Sequence, residues 1–202
     1  MTKTDLAARL RNACAAVIAA EQELTEIDSK FGDADHGLTM AKIARAVTEA
    51  VDQSEGGIQA MLDDAATAVM SLNGGSAVPL WNTWLDGMQE DAPEGEEIDV
   101  SGLQAIFARA LEELNDMSGA QVGDKTMMDA IIPASQAIAA YEGEDENELF
   151  AQAAQAARQG AEATRQFVSK FGRAKSYGQQ SIGTPDAGAM SMSYFFQGLA
   201  QA

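Results

Sequence analysis

The sequence predicts an all-α fold of about eight amphipathic helices packed as a bundle, in a single domain covering residues 1–202. Three observations predict it. Apolar residues recur at the spacing of one helix face along almost the whole chain. No segment alternates with the period of two that marks a half-buried strand, and there is no hairpin signal or internal repeat. Alanine occupies many of the helical positions, which favours helix and allows close helix–helix approach.

The elements follow in order. Leu6, Leu10, Cys14, Val17 and Ile18 form the stripe of a first helix. Leu38, Ile43, Val47 and Val51 mark a second, opening directly after an Asp/His/Gly turn. Met61, Leu62, Ala65, Val69 and Met70 mark a third, ending near Gly74-Gly75. The fourth covers residues 79–88 and carries Trp81 and Trp84. Residues 89–99 are acidic, contain Pro93 and Gly95, and read as an exposed loop. Ser101-Gly102-Leu103-Gln104 resembles a capping box opening a fifth helix through Ile106, Phe107, Ala110 and Leu114. A sixth follows Gly123 with Met127, Met128, Ile131 and Ile132, and Pro133 is expected to kink it. After an acidic loop at 141–147, an Ala/Gln-rich seventh helix runs from 148 to about 170. Residues 172–185 form a glycine-bearing loop, and the eighth helix runs from 186 to about 200, capped by Thr184 or Asp186.

Composition bounds the function. With 46% hydrophobic and 22% charged residues the chain is globular rather than disordered. The 31 acidic and 13 basic residues give a net charge of -18, which repels nucleic acid and anionic membranes. A nucleotide ligand stays open, because bound metal reverses the local sign. With one cysteine no internal disulfide forms, and Cys14 among Ala13, Ala15, Ala16 and Val17 reads as core, not nucleophile. No apolar run approaches the roughly 20 residues needed to span a bilayer. Asp5 and Arg9 interrupt any signal-peptide core, so a cytoplasmic protein is expected.

The densest chemistry lies in Asp28-Ser29-Lys30-Phe31-Gly32-Asp33-Ala34-Asp35-His36-Gly37. On a continuous helix Asp28 and Asp35 would share a face while Asp33 pointed away. Convergence of the three carboxylates requires a turn, which Gly32 permits. Converging carboxylates repel unless a cation lies between them. Hard oxygen donors favour magnesium, manganese or calcium over zinc, and magnesium lets substrate phosphates complete its shell. An EF-hand fails on spacing: counted from Asp33, its glycine and glutamate positions hold Leu38 and Ala44. The competing reading is an acidic helix-capping turn. His36 either meets a phosphate or is a hydrogen-bonded structural histidine. Gly37-Leu38-Thr39 opens the next helix with amides, and a hydroxyl, that suit an anion.

Three further loops carry candidates. Asn73-Gly74-Gly75-Ser76-Ala77 offers backbone amides to phosphate or is a plain helix C-cap and turn. In the string from Gly119 through Gly123-Asp124-Lys125-Thr126-Met127, Lys125 suits a phosphate and Met127 a base, against a capped helix start with a solvated lysine. Arg173 and Lys175 place two of 13 basic residues together in the last loop, as candidates to stabilise a transferring phosphoryl group. No G-x-x-x-x-G-K-[ST] string is present, and no strand-turn-helix context for a dinucleotide fold.

Taken in order, D-x-x-x-G-D-A-D-H-G from Asp28, the Gly-Gly turn, G-D-K-T-M, G-R-A, S-I-G and the final D-x-G-A resemble the nucleotide-binding L subunit of dihydroxyacetone kinases. The resemblance implies a barrel of eight antiparallel helices with a nucleotide, ADP or ATP, and two magnesium ions at one end. It implies Asp28, Asp33 and Asp35 as metal ligands. His36, Gly37, Leu38 and Thr39 would hold phosphate or ribose. Ser76, Ala77, Gly119, Met127, Arg173, Pro185, Asp186 and Ala187 would complete the pocket, with Arg173 as the catalytic cation. It implies a kinase subunit that passes the γ-phosphoryl group to dihydroxyacetone, or a related short-chain ketose, on a separate K subunit. The phosphoryl donor would be free ATP or a phosphohistidine protein of the phosphotransferase system. The alternative is a nucleotide-sensing module without catalysis, reporting to a transcriptional regulator. One string departs from the family's G-G-A-S-G-P: here it is Gly74-Gly75-Ser76-Ala77-Val78-Pro79, which moves the hydroxyl by one residue. A sugar larger than a triose is compatible with that change.

Overall fold

The computed structural model describes residues 1–201. It is all-α among these residues, with nine helices and no strand. They are α1 (Lys3–Ala19), α2 (Glu21–Asp28), α3 (His36–Gln53), α4 (Ile58–Met70), α5 (Ala77–Glu90), α6 (Val100–Ser118), α7 (Met128–Ala139), α8 (Glu146–Ala163) and α9 (Ala187–Leu199). Short 3₁₀ turns occupy Thr164–Gln166 and Arg173–Ser181. Packing contacts run α1–α3–α4–α5–α6–α7–α8–α9 and back to α1, a closed ring of eight helices. The ninth helix, α2, lies outside the ring order and packs on α3 and α9.

The extra helix is α2, which the periodicity reading missed. Its sequence EQELTEID buries Leu24 alone, so no apolar stripe announces it. One cap differs from expectation and one alternative is decided. Asp99, not Ser101, caps α6 by accepting from the Gly102 amide at 2.7 Å. Of the two candidates for α9, Asp186 is the cap, accepting from the Ala189 amide at 2.8 Å. The seventh predicted helix ends early: α8 stops at Ala163, and Phe167 is already extended.

The ring encloses one core. Trp84, Phe150, Phe195 and Phe196 are fully buried there, with Trp84 and Phe195 edge to face at 5.4 Å. Such pairs add to the area they bury. Pro133 lies inside α7, which continues through it as one element. Proline has no amide hydrogen, so the Asp129 carbonyl one turn earlier loses its helical partner. That carbonyl faces Gly160 of α8, where any Cβ would run into it. No helix among the described residues is long and apolar enough to cross a membrane.

Candidate functional site

Asp28 is the last residue of α2, and α3 begins at His36. The intervening turn brings Asp28, Asp33 and Asp35 together, with one carboxylate oxygen from each within 4.8 Å of the others. The left-handed residue that makes the turn is Ala34, at φ 61. Gly32 serves differently: a Cβ there would collide with the Asp28 carboxylate, so glycine leaves the room that group occupies. Asp28 also accepts from the Asp35 and His36 amides at 3.2 and 3.4 Å, capping α3. Helix capping and carboxylate convergence thus occur in one turn. Burial, then the neighbouring Asp33 and Asp28, raise the Asp35 carboxyl above its ordinary pKa. Three hard-oxygen donors this close, still repelling one another, fit a divalent cation such as magnesium.

The trio stands at the edge of a cavity of about 300 Å³. His36, Ser76, Ala77, Met127 and Asp186 line it from the starts of α3, α5, α7 and α9. Four helix N-termini therefore face one space. Each carries the partial positive charge of a helix N-terminus, the arrangement that suits phosphate. Thr39, Arg173, Pro185 and Ala187 line the cavity as well.

Three predicted binding residues do not. Gly37 faces α2, where a Cβ would run into the Glu21 carbonyl and Thr25. Leu38 lies on the outer face of α3 and is 46% exposed. The reason is helical rotation: one or two residues beyond His36 the chain faces elsewhere, and Thr39 brings it back. Gly119 is the left-handed residue ending α6, φ 63, and is outside the cavity lining. Other lining residues were not anticipated, among them Phe31, Leu80, Ser169 and Phe171. Phe31 and Phe171 sit beside Gly32 and Gly172 in the motif strings, which was the available signal.

Arg173 reaches the trio from the opposite side. Its guanidinium lies 2.6 Å from the Asp33 carboxylate, with 68% of the side chain exposed. Lys175 is exposed and outside the cavity lining. Lys125 corrects both readings of its string, since it is neither solvated nor free for phosphate. It is 3% exposed, and its ammonium donates to the carbonyls of Thr164, Phe167, Ser181 and Thr184 at 2.6–3.2 Å. An ammonium has three protons, so four carbonyls saturate it. Burial pushes its pKa below the ordinary lysine value.

Burial likewise lowers the His36 imidazole, while the nearby Asp28 charge opposes that. Its Nε2 lies 3.3 Å from the Ser191 hydroxyl. The Asp186 carboxyl is pushed up to about 7, mainly by burial. Between the unfolded value of 3.8 and about 7, the folded state holds a proton that the unfolded chain has released. Stability therefore falls as pH rises through that window. Asp186→Asn keeps the cap without the charge. It is expected to match the wild type near pH 4 and to exceed it above pH 7 by up to roughly 3 kcal/mol. Thermal melts of both proteins across that range measure the difference, and parallel curves would refute it.

The chain matches the DAK2 domain over residues 30–201. It is 36% identical to the D-erythrulose kinase of Mycolicibacterium smegmatis, over 93% of this chain and 33% of that protein. It thus spans about a third of the length of such curated relatives. It is 30% identical to an ADP-binding subunit DhaL of a PEP-dependent dihydroxyacetone kinase from Listeria innocua, over 90% of this chain and 87% of that subunit. The dihydroxyacetone kinase of C. freundii, solved with AMP-PNP and Mg2+, shares the fold: TM-score 0.73 at 24% identity, over 97% of this chain and 33% of that one. On the extent of the domain match and the near-full-length likeness to a free-standing subunit, the chain belongs to the DAK2 domain family.

Proposed function

We propose that this chain is a single-domain, cytoplasmic, nucleotide-binding subunit of a dihydroxyacetone or related short-chain ketose kinase. It binds ADP or ATP with two magnesium ions and passes the γ-phosphoryl group to a sugar held by a separate K subunit. The observation that carries this is the carboxylate trio at the edge of a cavity faced by four helix N-termini. The trio supplies negative oxygens for the cations and the helix starts supply amides for the phosphates. Relatives named as kinases of dihydroxyacetone and of the four-carbon erythrulose support a small ketose acceptor. The PEP-dependent relatives support recharging of bound ADP by a phosphohistidine protein, with free ATP as the other donor.

When bound, magnesium neutralises charge on the phosphate oxygens. Asp28, Asp33 and Asp35 would hold it at the start of α3. The α3, α5 and α9 amides would orient the phosphate chain, and Met127, which lines the cavity, would face the nucleoside. Arg173, on its loop, stabilises the charge that develops on the phosphoryl group in flight. No general base is assigned to this chain, because the acceptor hydroxyl belongs to the partner's site.

Calorimetry with ADP tests the reading. A chain of charge -18 with three clustered aspartates disfavours phosphate unless cations intervene. Binding is expected in magnesium and not in EDTA. Equal affinity in EDTA would overturn the metal-bridged site.

A further inference from the structure

The segment carrying Arg173 has little core of its own. Between α8 and α9 the chain runs along the cavity, and of its large apolar side chains Phe171, Tyr177 and Ile182 are 41%, 44% and 48% exposed while Phe167 is half-buried. A loop so weakly buried needs another restraint to hold a guanidinium in place. We propose that Lys125 is the positioning residue for Arg173, a buried ammonium that closes both ends of this arm over the nucleotide. The proposal rests on the reading of Arg173 as the phosphoryl-transfer cation.

The geometry is specific. Lys125 takes the Thr164 and Phe167 carbonyls from the outgoing end of the arm, at 2.7 and 3.2 Å. It takes the Ser181 and Thr184 carbonyls from the returning end, at 2.8 and 2.6 Å. Hydrogen bonds from a charged donor are about twice as strong as neutral ones. The lysine enters from a left-handed backbone at φ 62. The buried Asp129 holds that turn by accepting from the Gly123 and Thr126 amides at 2.6 and 2.7 Å. Asp124 grips the outside of the arm. Its carbonyl accepts from the Lys170 amide at 3.1 Å and its carboxylate from the Lys170 ammonium at 2.6 Å. The two ends are also tied directly, Gly183 amide to Arg165 carbonyl at 2.7 Å and Ser169 amide to Ser181 hydroxyl at 3.0 Å. Arg173 lies three residues beyond Lys170, so slack at the knot reaches it at once.

Loss of a lysine that only stabilised the fold would raise exchange everywhere and act independently of Arg173. A positioning lysine acts through it. Two variants separate these roles. Lys125→Met removes the charge, and Lys125→Gly suits the left-handed backbone while admitting water to the carbonyls. Hydrogen exchange on the isolated chain is expected to rise in residues 164–184 and to stay unchanged in the ring helices. With the K subunit and its ketose, kcat is expected to fall about tenfold to 10²-fold, with the nucleotide KM within about threefold. Combined with Arg173→Ala, either variant is expected to be no slower than Arg173→Ala alone. Unchanged exchange in the arm, or losses that multiply, would overturn the proposal. If both Lys125 variants failed to fold, Asp124→Ala loosens the outer grip alone, and unchanged exchange at 164–184 in that variant would overturn it equally. A wild-type chain that transferred no phosphoryl group would refute the kinase reading and leave the exchange result to decide the role of Lys125.

Discussion

Asp35→Asn is expected to lower ADP affinity in magnesium by more than roughly 10²-fold. Removing a residue that merely orients a metal ligand costs about 10- to 100-fold in metal affinity, and this change removes the ligand. The helices are expected to stay intact by circular dichroism, because Asp35 is exposed and the cap on α3 comes from Asp28. Without metal the variant is expected to be at least as stable as the wild type. The Asp35 carboxyl is raised by partial desolvation and by Asp33 and Asp28, so its charge is unwelcome there. Asp33→Asn is expected to weaken binding similarly, and it also loosens the 2.6 Å contact to Arg173. Calorimetry with ADP and magnesium decides both. A variant that kept ordinary affinity would place the cation elsewhere.

Arg173→Ala is expected to slow phosphoryl transfer by about 10²-fold or more, the effect of deleting one preorganised donor to developing charge. Nucleotide affinity is expected to change far less, since the interaction strengthens only in the transition state. The fold is unaffected: the guanidinium is mostly exposed, and such ion pairs contribute about 0–1 kcal/mol. Lys175→Ala is the control, a neighbouring exposed cation outside the cavity lining. A steering charge acts weakly and fades with salt. Equal losses in the two variants, both erased by salt, would make Arg173 a steering charge as well.

What the sequence made legible follows from what repeats in it. The eight ring helices each bury a stripe, so periodicity finds them. Helix α2 buries only Leu24 and stays silent. The three aspartates were legible because they lie within eight residues of one another and their convergence is costly without a cation. The roles inside the turn were not, because Ala34 takes the left-handed conformation that Gly32 seemed placed to take. Lys125 was misread for a long-range reason. Its four carbonyl partners lie 39 to 59 residues away, and no local pattern encodes them. Gly119 belongs to the motif resemblance, and its left-handed backbone at the end of α6 is a demand no motif spells out.

The contact between α7 and α8 constrains how this chain can diverge. Pro133 frees the Asp129 carbonyl, and Gly160 is the residue that leaves it space. A methyl at 160 would drive α8 outward, and α8 leads directly into the arm that bears Arg173. A residue with an amide at 133 would draw the carbonyl back into α7 and release that restriction. Positions 133 and 160, far apart in the chain, are therefore coupled through one carbonyl, and what either can hold depends on what stands at the other.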